Sequence, residues 1–246
     1  MELWGIFGIA HLLSLPIAAL IIIGLYFLLK NKSEKIKRAV LFILSLSGIA
    51  AIIFNLVTWN SPLEYLPLHL CSINAILLPI AILTKNKTVG NMLSLWCIGA
   101  LAAIAMNFYP TAWADLYSNP VHLFFYFPHL LEFGIPILLF KFKIIELDYK
   151  YIPRTLIFTL AIYTAVHFIN LGLTEYVAVK NLVDWAGNPL NINYMYSMHP
   201  EGFPILTQLY ALIPHSYWYM LLVLPIIAAY LLILFLPQFI KERKNK

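Results

Sequence analysis

WGIFGIAHLLSLPIAALIIIGLYFLLKNKSEKIKRAVLFILSLSGIAAIIFNLVT (Trp4–Thr58) decides the fold class of this chain. Two apolar runs, Trp4–Leu29 and Ile36–Thr58, meet in a short segment that carries Lys30, Lys32, Lys35, Lys37 and Arg38. Each run has roughly the 20 residues an α-helix needs to cross a hydrocarbon core about 30 Å thick. Inside lipid the backbone N–H and C=O groups must pair internally, so runs of this kind are helices. The pattern repeats along the chain as Leu66–Thr84, Val89–Tyr109, Pro120–Phe140, Ile152–Thr174 and Pro214–Leu236. The expected fold is all-α, a polytopic seven-transmembrane-helix bundle that fills residues 1–246 as one integral membrane domain. The first run has no basic leader and is too long for a cleavable signal, so it reads as a retained span.

Composition agrees. Hydrophobic residues make up 62% and charged residues 11% of the 246, and the mean hydropathy is +0.83. So few charges cannot cover the surface of a soluble domain of this length. Orientation follows from the basic residues. Fifteen of the sixteen fall on alternate connections or the tail: the five above, then Lys85 and Lys87, then Lys141, Lys143, Lys150 and Arg154, and finally Lys241, Arg243, Lys244 and Lys246. Only Lys180 falls on the other side. Seven spans put the N-terminus outside and the C-terminus in the cytoplasm, in a multi-pass protein of the cell (plasma) membrane. Because the excess charge of +5 sits in short loops, it does not form a nucleic-acid face, and no nucleic-acid partner is expected.

The outer connections Asn60–Tyr65 and Pro110–Asn119 are short, whereas Glu175–Ile213 is long and holds Asp184, Glu201 and Tyr194–Met195–Tyr196. A connection of that length with apolar content reads either as a re-entrant or interfacial cap or as an irregular surface loop. No internal repeat at helical-pair spacing and no low-complexity segment is present.

Polar residues inside the spans are costly and therefore informative. All seven histidines (His11, His69, His122, His129, His167, His199 and His215) fall in the outer half of this topology, which points to a polar chamber opening outward. In span three, Cys71 and Asn74 share one helix face and His69 and Ser72 another. A free membrane cysteine is ordinarily a small packing residue. Cys97, beside Trp96 with no ionisable neighbour, fits that description, and Cys71, flanked by His69 and Asn74, fits it less well. In span five, His122, His129 and Glu132 lie on one stripe, so Glu132 either holds the His129 imidazole or, as a neutral acid, bonds a neighbouring helix. In span six, Thr155, Thr159, Tyr163, His167, Asn170 and Thr174 form a polar stripe that must face protein or water.

The motifs LPLHLCSI (Leu66–Ile73), HFIN (His167–Asn170) and NYMY (Asn193–Tyr196), followed by Pro200, Leu206 and Trp218-Tyr219, resemble the YwaF-like family of bacterial membrane proteins. That family is similar to a eukaryotic membrane acyltransferase, transmembrane protein 164, and more distantly to androgen-induced serpentine hydrolases. The resemblance implies a serpentine bundle in which an intramembrane nucleophile and a histidine act on lipid acyl esters. It places the nucleophile at Cys71 and the histidine at His129. Family members often carry a glycine directly after that histidine, whereas here Leu130 follows and His122 lies nearby. Both histidines therefore stand as equivalents, with His129, deeper and on the stripe with Glu132, preferred.

Three functional readings follow. The first is cysteine-dependent acyl transfer or hydrolysis on a membrane phospholipid or lysolipid, through a thioester intermediate. Cys71, His129 and Glu132 would be catalytic, and His69, Asn74, His122, Tyr163, His167, Asn170, Tyr194 and Tyr196 would contact substrate. A thiol needs a base beside it to become a good nucleophile. The second is a non-enzymatic carrier or receptor for a small amphipathic ligand. The third is a metal-assisted lipid hydrolase using several histidines, although no His-x-x-x-His pair exists on one helix. The preferred reading expects no metal and no cofactor.

Overall fold

The computed structural model describes residues 3–4, 7–58, 61–105, 111–112, 118–184 and 186–244. Six of its helices are long and apolar enough to cross a membrane, and the helices group into two compact units.

The first unit contains Met1–Asn55 and Leu70–Leu147. Its elements are β1 (Leu3–Trp4), α1 (Ile9–Leu29), α2 (Glu34–Thr58), α3 (Leu70–Thr84), α4 (Lys87–Ala105), β2 (Thr111–Ala112) and α5 (Pro120–Lys141). β1 and β2 are an antiparallel pair of two residues each. Helices α4 and α5 are the central members: 56% of the apolar window of each is buried, against 22% for α1 and α2. Their core includes Leu93, Ile104, Tyr126, Leu130, Ile135 and Leu139, with Leu78, Ala81 and Ile82 from α3. Large exposed apolar side chains such as Leu20, Leu28, Ile43 and Ile53 cover the other faces of α1 and α2, as expected of surfaces solvated by lipid tails.

Polar side chains tie these helices together through backbone carbonyls. The buried His11 ring donates from Nε2 to the Ile104 carbonyl (2.7 Å) and accepts the Phe7 N–H at Nδ1 (3.1 Å). The Tyr126 hydroxyl donates to the Ser14 carbonyl (2.7 Å). Arg38 donates to the carbonyls of Ile82 (3.0 Å) and Leu83 (2.7 Å), capping the open end of α3.

The second unit contains Leu56–His69 and Asp148–Lys246. It is built from α6 (Ile152–Lys180), α7 (Pro204–Leu212), α8 (Trp218–Leu221) and α9 (Leu224–Lys244). Tyr149 ties the start of α6 to α9, its N–H donating to Gln238 Oε1 (3.2 Å) and its hydroxyl to Glu242 Oε2 (2.7 Å).

Several expected boundaries are corrected. Span three was read as Leu66–Thr84, but α3 begins at Leu70 and has 15 residues, a rise of about 22 Å. Leu66 and Leu68 are instead held by local and loop bonds, with the Leu68 N–H on the Leu66 carbonyl. The first helix starts at Ile9 instead of Trp4. The sixth runs past Thr174 to Lys180, where Asn181 adopts a left-handed conformation (φ 49°), so the long connection is shorter than expected and contains α7. The last helix begins at Leu224 after the short α8 rather than at Pro214. The end of span four (106–109) and most of the Pro110–Asn119 connection lie outside the described residues.

Gly48 on α2 lies against Ala75 of α3 and the Glu132 carboxyl. A Cβ there would come within 2.7 Å of the Ala75 Cβ and 2.8 Å of Glu132 Oε1. Gly48→Ala therefore lowers the thermal midpoint in detergent, with an overpacking cost of about 1–3 kcal/mol. Gly24→Ala, where a Cβ meets nothing within 4 Å, leaves the midpoint unchanged or raises it. Equal melting curves for the two variants would refute this account of α2 packing.

Candidate functional site

The residues singled out from sequence divide between the two units. Cys71, Asn74, His122, His129 and Glu132 belong to the first; His69, Tyr163, His167, Asn170, Tyr194 and Tyr196 belong to the second.

In the first unit Cys71 is the second residue of α3 and is half-buried. It therefore sits among first-turn N–H groups that lack partners within the helix, a region that favours negative charge. Asn74, one turn further, is fully buried. Its Nδ2 donates to the backbone carbonyl of Glu132 (3.3 Å), pinning α3 to α5. Glu132 is buried at 5% exposure; Cys71 lies three residues before Asn74 on α3 and His129 three residues before Glu132 on α5, so the Asn74–Glu132 bond joins the two turns that carry them.

Glu132 does not orient the imidazole. His129 Nδ1 instead bonds the Phe125 carbonyl of its own helix (2.6 Å). A carbonyl can only accept, so in the neutral ring Nδ1 carries the proton and Nε2 keeps the lone pair. Two buried oxygens here, Asn74 Oδ1 and Glu132 Oε2, have no hydrogen-bond partner. His122, one stripe-step nearer the start of α5, is half-buried. Sequence gave no sign that Gly48 makes room for the Glu132 carboxyl, because a glycine in an apolar run has many uses.

In the second unit the polar stripe of α6 holds the Tyr194–Tyr196 segment. Thr155, Tyr163 and Asn170 are buried, and Thr174 is exposed. Asn170 Nδ2 donates to the Tyr194 carbonyl (2.8 Å) and to Ser197 Oγ (2.8 Å), while its Oδ1 accepts the Tyr194 N–H (3.1 Å). Ser197, fully buried, also meets His167 Nδ1 at 3.0 Å; it was not singled out from sequence, although it directly follows the NYMY motif. His69 Nδ1 accepts the Met195 N–H (3.3 Å).

The Tyr194 hydroxyl donates to the Leu63 carbonyl and accepts the Leu66 N–H (3.1 Å). Burial pushes this phenol up to about 12, so it stays a donor at any physiological pH. The Tyr163 hydroxyl donates to the Tyr217 carbonyl (2.9 Å). Met195 (φ 54°), Tyr196 (φ 54°) and Tyr217 (φ 67°) are all left-handed without being glycine, a strain of order 1–3 kcal/mol each that surrounding contacts must hold in place. Outside the helices, partial burial and then the charge of Asp184 raise the Glu64 carboxyl above its ordinary range.

Among the described residues, no three His, Cys, Asp or Glu side chains gather closely enough to hold a metal ion. The histidine-metal reading therefore lacks a ligand set there.

Asn170→Ala leaves the Tyr194 N–H and C=O without their side-chain partner, at a cost of about 1–3 kcal/mol per unsatisfied group. Amide exchange at Tyr194–Ser197 should accelerate in that variant while α4 and α5 keep wild-type protection. Unchanged exchange in the segment would show that Asn170 does not hold it.

The sequence comparisons bear on the whole chain. The TMEM164 family model matches residues 6–236, which bears out the resemblance to transmembrane protein 164; the YwaF-like designation is not part of that match. No curated protein matches the chain, and no solved structure matches it.

Proposed function

The chain belongs to the TMEM164 family, and from that premise we propose that it is a membrane-embedded, cysteine-dependent lipid acyltransferase or acyl hydrolase. The observation that carries this reading is the position of Cys71 in the first turn of α3, grouped with His129 and the buried Glu132 in one helical unit. His129 Nε2 takes the thiol proton as Cys71 Sγ attacks the acyl carbonyl carbon of a phospholipid. The first-turn N–H groups of α3 face the charge that develops on sulfur and on the carbonyl oxygen. The ester C–O bond breaks, the leaving lysolipid oxygen recovers the proton from His129, and the acyl group remains as a thioester. A second lysolipid hydroxyl, or water, gives its proton to His129, attacks the thioester and releases the thiol.

Asn74 acts by fixing α3 against α5. His122 is the alternative base. The reaction needs no metal or cofactor.

Intact-protein mass after incubation with phospholipid vesicles tests the chemistry. The expected result is one acyl adduct per chain, removed by neutral hydroxylamine and absent in Cys71→Ala. In His129→Ala adduct formation should slow by about 10²–10⁴-fold, the usual contribution of a positioned base. An adduct that persists in Cys71→Ala, or none in the wild type with turnover intact, would discard the thioester.

We also propose seven crossings of the plasma membrane within one membrane domain, α3 being the short one, with the N-terminus outside. Non-helical backbone such as Leu66–His69 is tolerated at membrane depth only where protein covers it. Cysteines introduced at Lys35, Lys143 and Lys244 should resist an impermeant thiol reagent in intact cells, and those at Asn119 and Asn188 should react. Labelling at Lys143 or Lys244 from outside would reverse this topology.

A further inference from the structure

At the end of α3 away from Cys71, a groove of about 440 Å³ is lined by Glu34, Lys35, Arg38, Ala39, Phe42, Ile82 and Leu83. Cys71 and Ile82 are eleven positions apart on α3, about 16 Å along its axis, so the groove is separate from the proposed acyl site. Lys35, Arg38, Ala39 and Phe42 recur at helical spacing and form one stripe of α2. The stripe is basic at its start and apolar at its end, and Ile82 and Leu83 extend the apolar part.

The charge around the groove is strongly one-sided. Lys30, Lys32, Lys35, Lys37 and Arg38 lie within nine positions that include a single acid, Glu34. Glu34 is paired with Lys85. Its charge is therefore already balanced. Lys30 stacks over Phe27 at 4.5 Å and Lys37 over Phe142 at 4.8 Å, whereas Lys35 is exposed at the groove itself. Arg38 gives Nε and Nη2 to carbonyls of α3, which fixes the guanidinium plane and leaves N–H donors on it for a further acceptor. A rigidly held guanidinium loses little freedom when it binds a phosphate.

A basic rim over an apolar floor, at the membrane surface on the basic side of the chain, has the chemistry of a site for an anionic glycerophospholipid. We infer that this groove binds one such lipid, its phosphate between Arg38 and Lys35 and one acyl chain along Phe42, Ile82 and Leu83. The bound lipid is a resident ligand rather than the substrate of the proposed reaction. It would join α2 to the end of α3 and so brace the helix that carries Cys71.

Native mass spectrometry of the purified full-length protein with equal amounts of dioleoyl phosphatidylglycerol and dioleoyl phosphatidylcholine tests this. The expected result is selective retention of phosphatidylglycerol. Lys35→Gln should reduce that retention about fivefold, the effect of removing one basic charge beside an anionic lipid. Ala39→Trp, which fills the groove while keeping every charge, should reduce it as well. Lys35 and Ala39 are both exposed, so the two variants fold as the wild type does.

Equal retention of the two lipids would overturn the inference. So would phosphatidylglycerol retention unchanged in both variants, which would place the lipid elsewhere on the basic surface. Displacement by millimolar inorganic phosphate would show an anion site without a lipid chain and would equally overturn it. Acyl-adduct formation on Cys71 is a separate readout, so failure of one proposal is distinguishable from failure of the other.

Discussion

A carboxyl group buried inside a lipid-solvated helical unit is the constraint around which the first unit is arranged. Glu132 is 5% exposed, and no ion pair to it is formed among the described residues. Transferring such a group out of water is costly unless the protein supplies close polar or charged neighbours. Two neighbouring helices accommodate it. Gly48 removes a side chain from α2 where Oε1 lies, Ala75 keeps the facing turn of α3 small, and Asn74 ties α3 to the Glu132 backbone. Helices in lipid gain little from hydrophobic burial against one another, so close approach at small residues and interhelical hydrogen bonds must hold them. The same logic explains His11 on the Ile104 carbonyl and Tyr126 on the Ser14 carbonyl, where each polar side chain serves as a cross-link between helices.

The second unit handles the opposite difficulty, irregular backbone. The Asn193–Ser197 segment pairs only part of its own backbone, in one short turn (Tyr196 N–H on the Asn193 carbonyl, Ser197 N–H on the Tyr194 carbonyl), and side chains supply further partners. Asn170 bonds both the N–H and the C=O of Tyr194 and the Ser197 hydroxyl, and His69 accepts the Met195 N–H. Left-handed Met195, Tyr196 and Tyr217 are tolerable only because this network over-determines them. Tyr219 donates to the Tyr196 carbonyl and the Tyr217 N–H to the Ser197 carbonyl (2.7 Å), so the start of the last helix is built on the same segment. The break between α8 and α9 follows from that attachment.

Hydropathy made the helical class, the apolar runs and the buried stripe of α6 legible, because each is a periodic property of consecutive residues. Helix ends were less legible. Glu175 ended an apolar run without ending the helix, which continues to Lys180, since glutamate does not oppose helical backbone. Leu66–Leu68 continued an apolar run although Pro67 and the Tyr194 hydroxyl draw that backbone out of helical pairing. The polar partners were least legible of all. That Glu132 and His129 share a stripe of α5 was readable, but that the imidazole bonds the Phe125 carbonyl while the carboxyl turns to Gly48 depends on side-chain torsions and on contacts distant in sequence.

That division of partners bears on which histidine would be the base in the proposed reaction. A histidine held by a carboxylate gains basicity and is drawn toward the charged form; one held by a backbone carbonyl is fixed in a single tautomer with less electrostatic pull. His129 is of the second kind, so in the neutral ring Nδ1 carries the proton and Nε2 keeps the lone pair that the proposed acyl transfer would use. His122 lies seven residues earlier on the same stripe, about 10 Å along the axis, whereas His129 is one turn from Glu132. In the proposed reaction His129 is thus the imidazole nearer the carboxyl, and the Glu132 backbone, bonded by Asn74, ties the helix of Cys71 to the helix of His129.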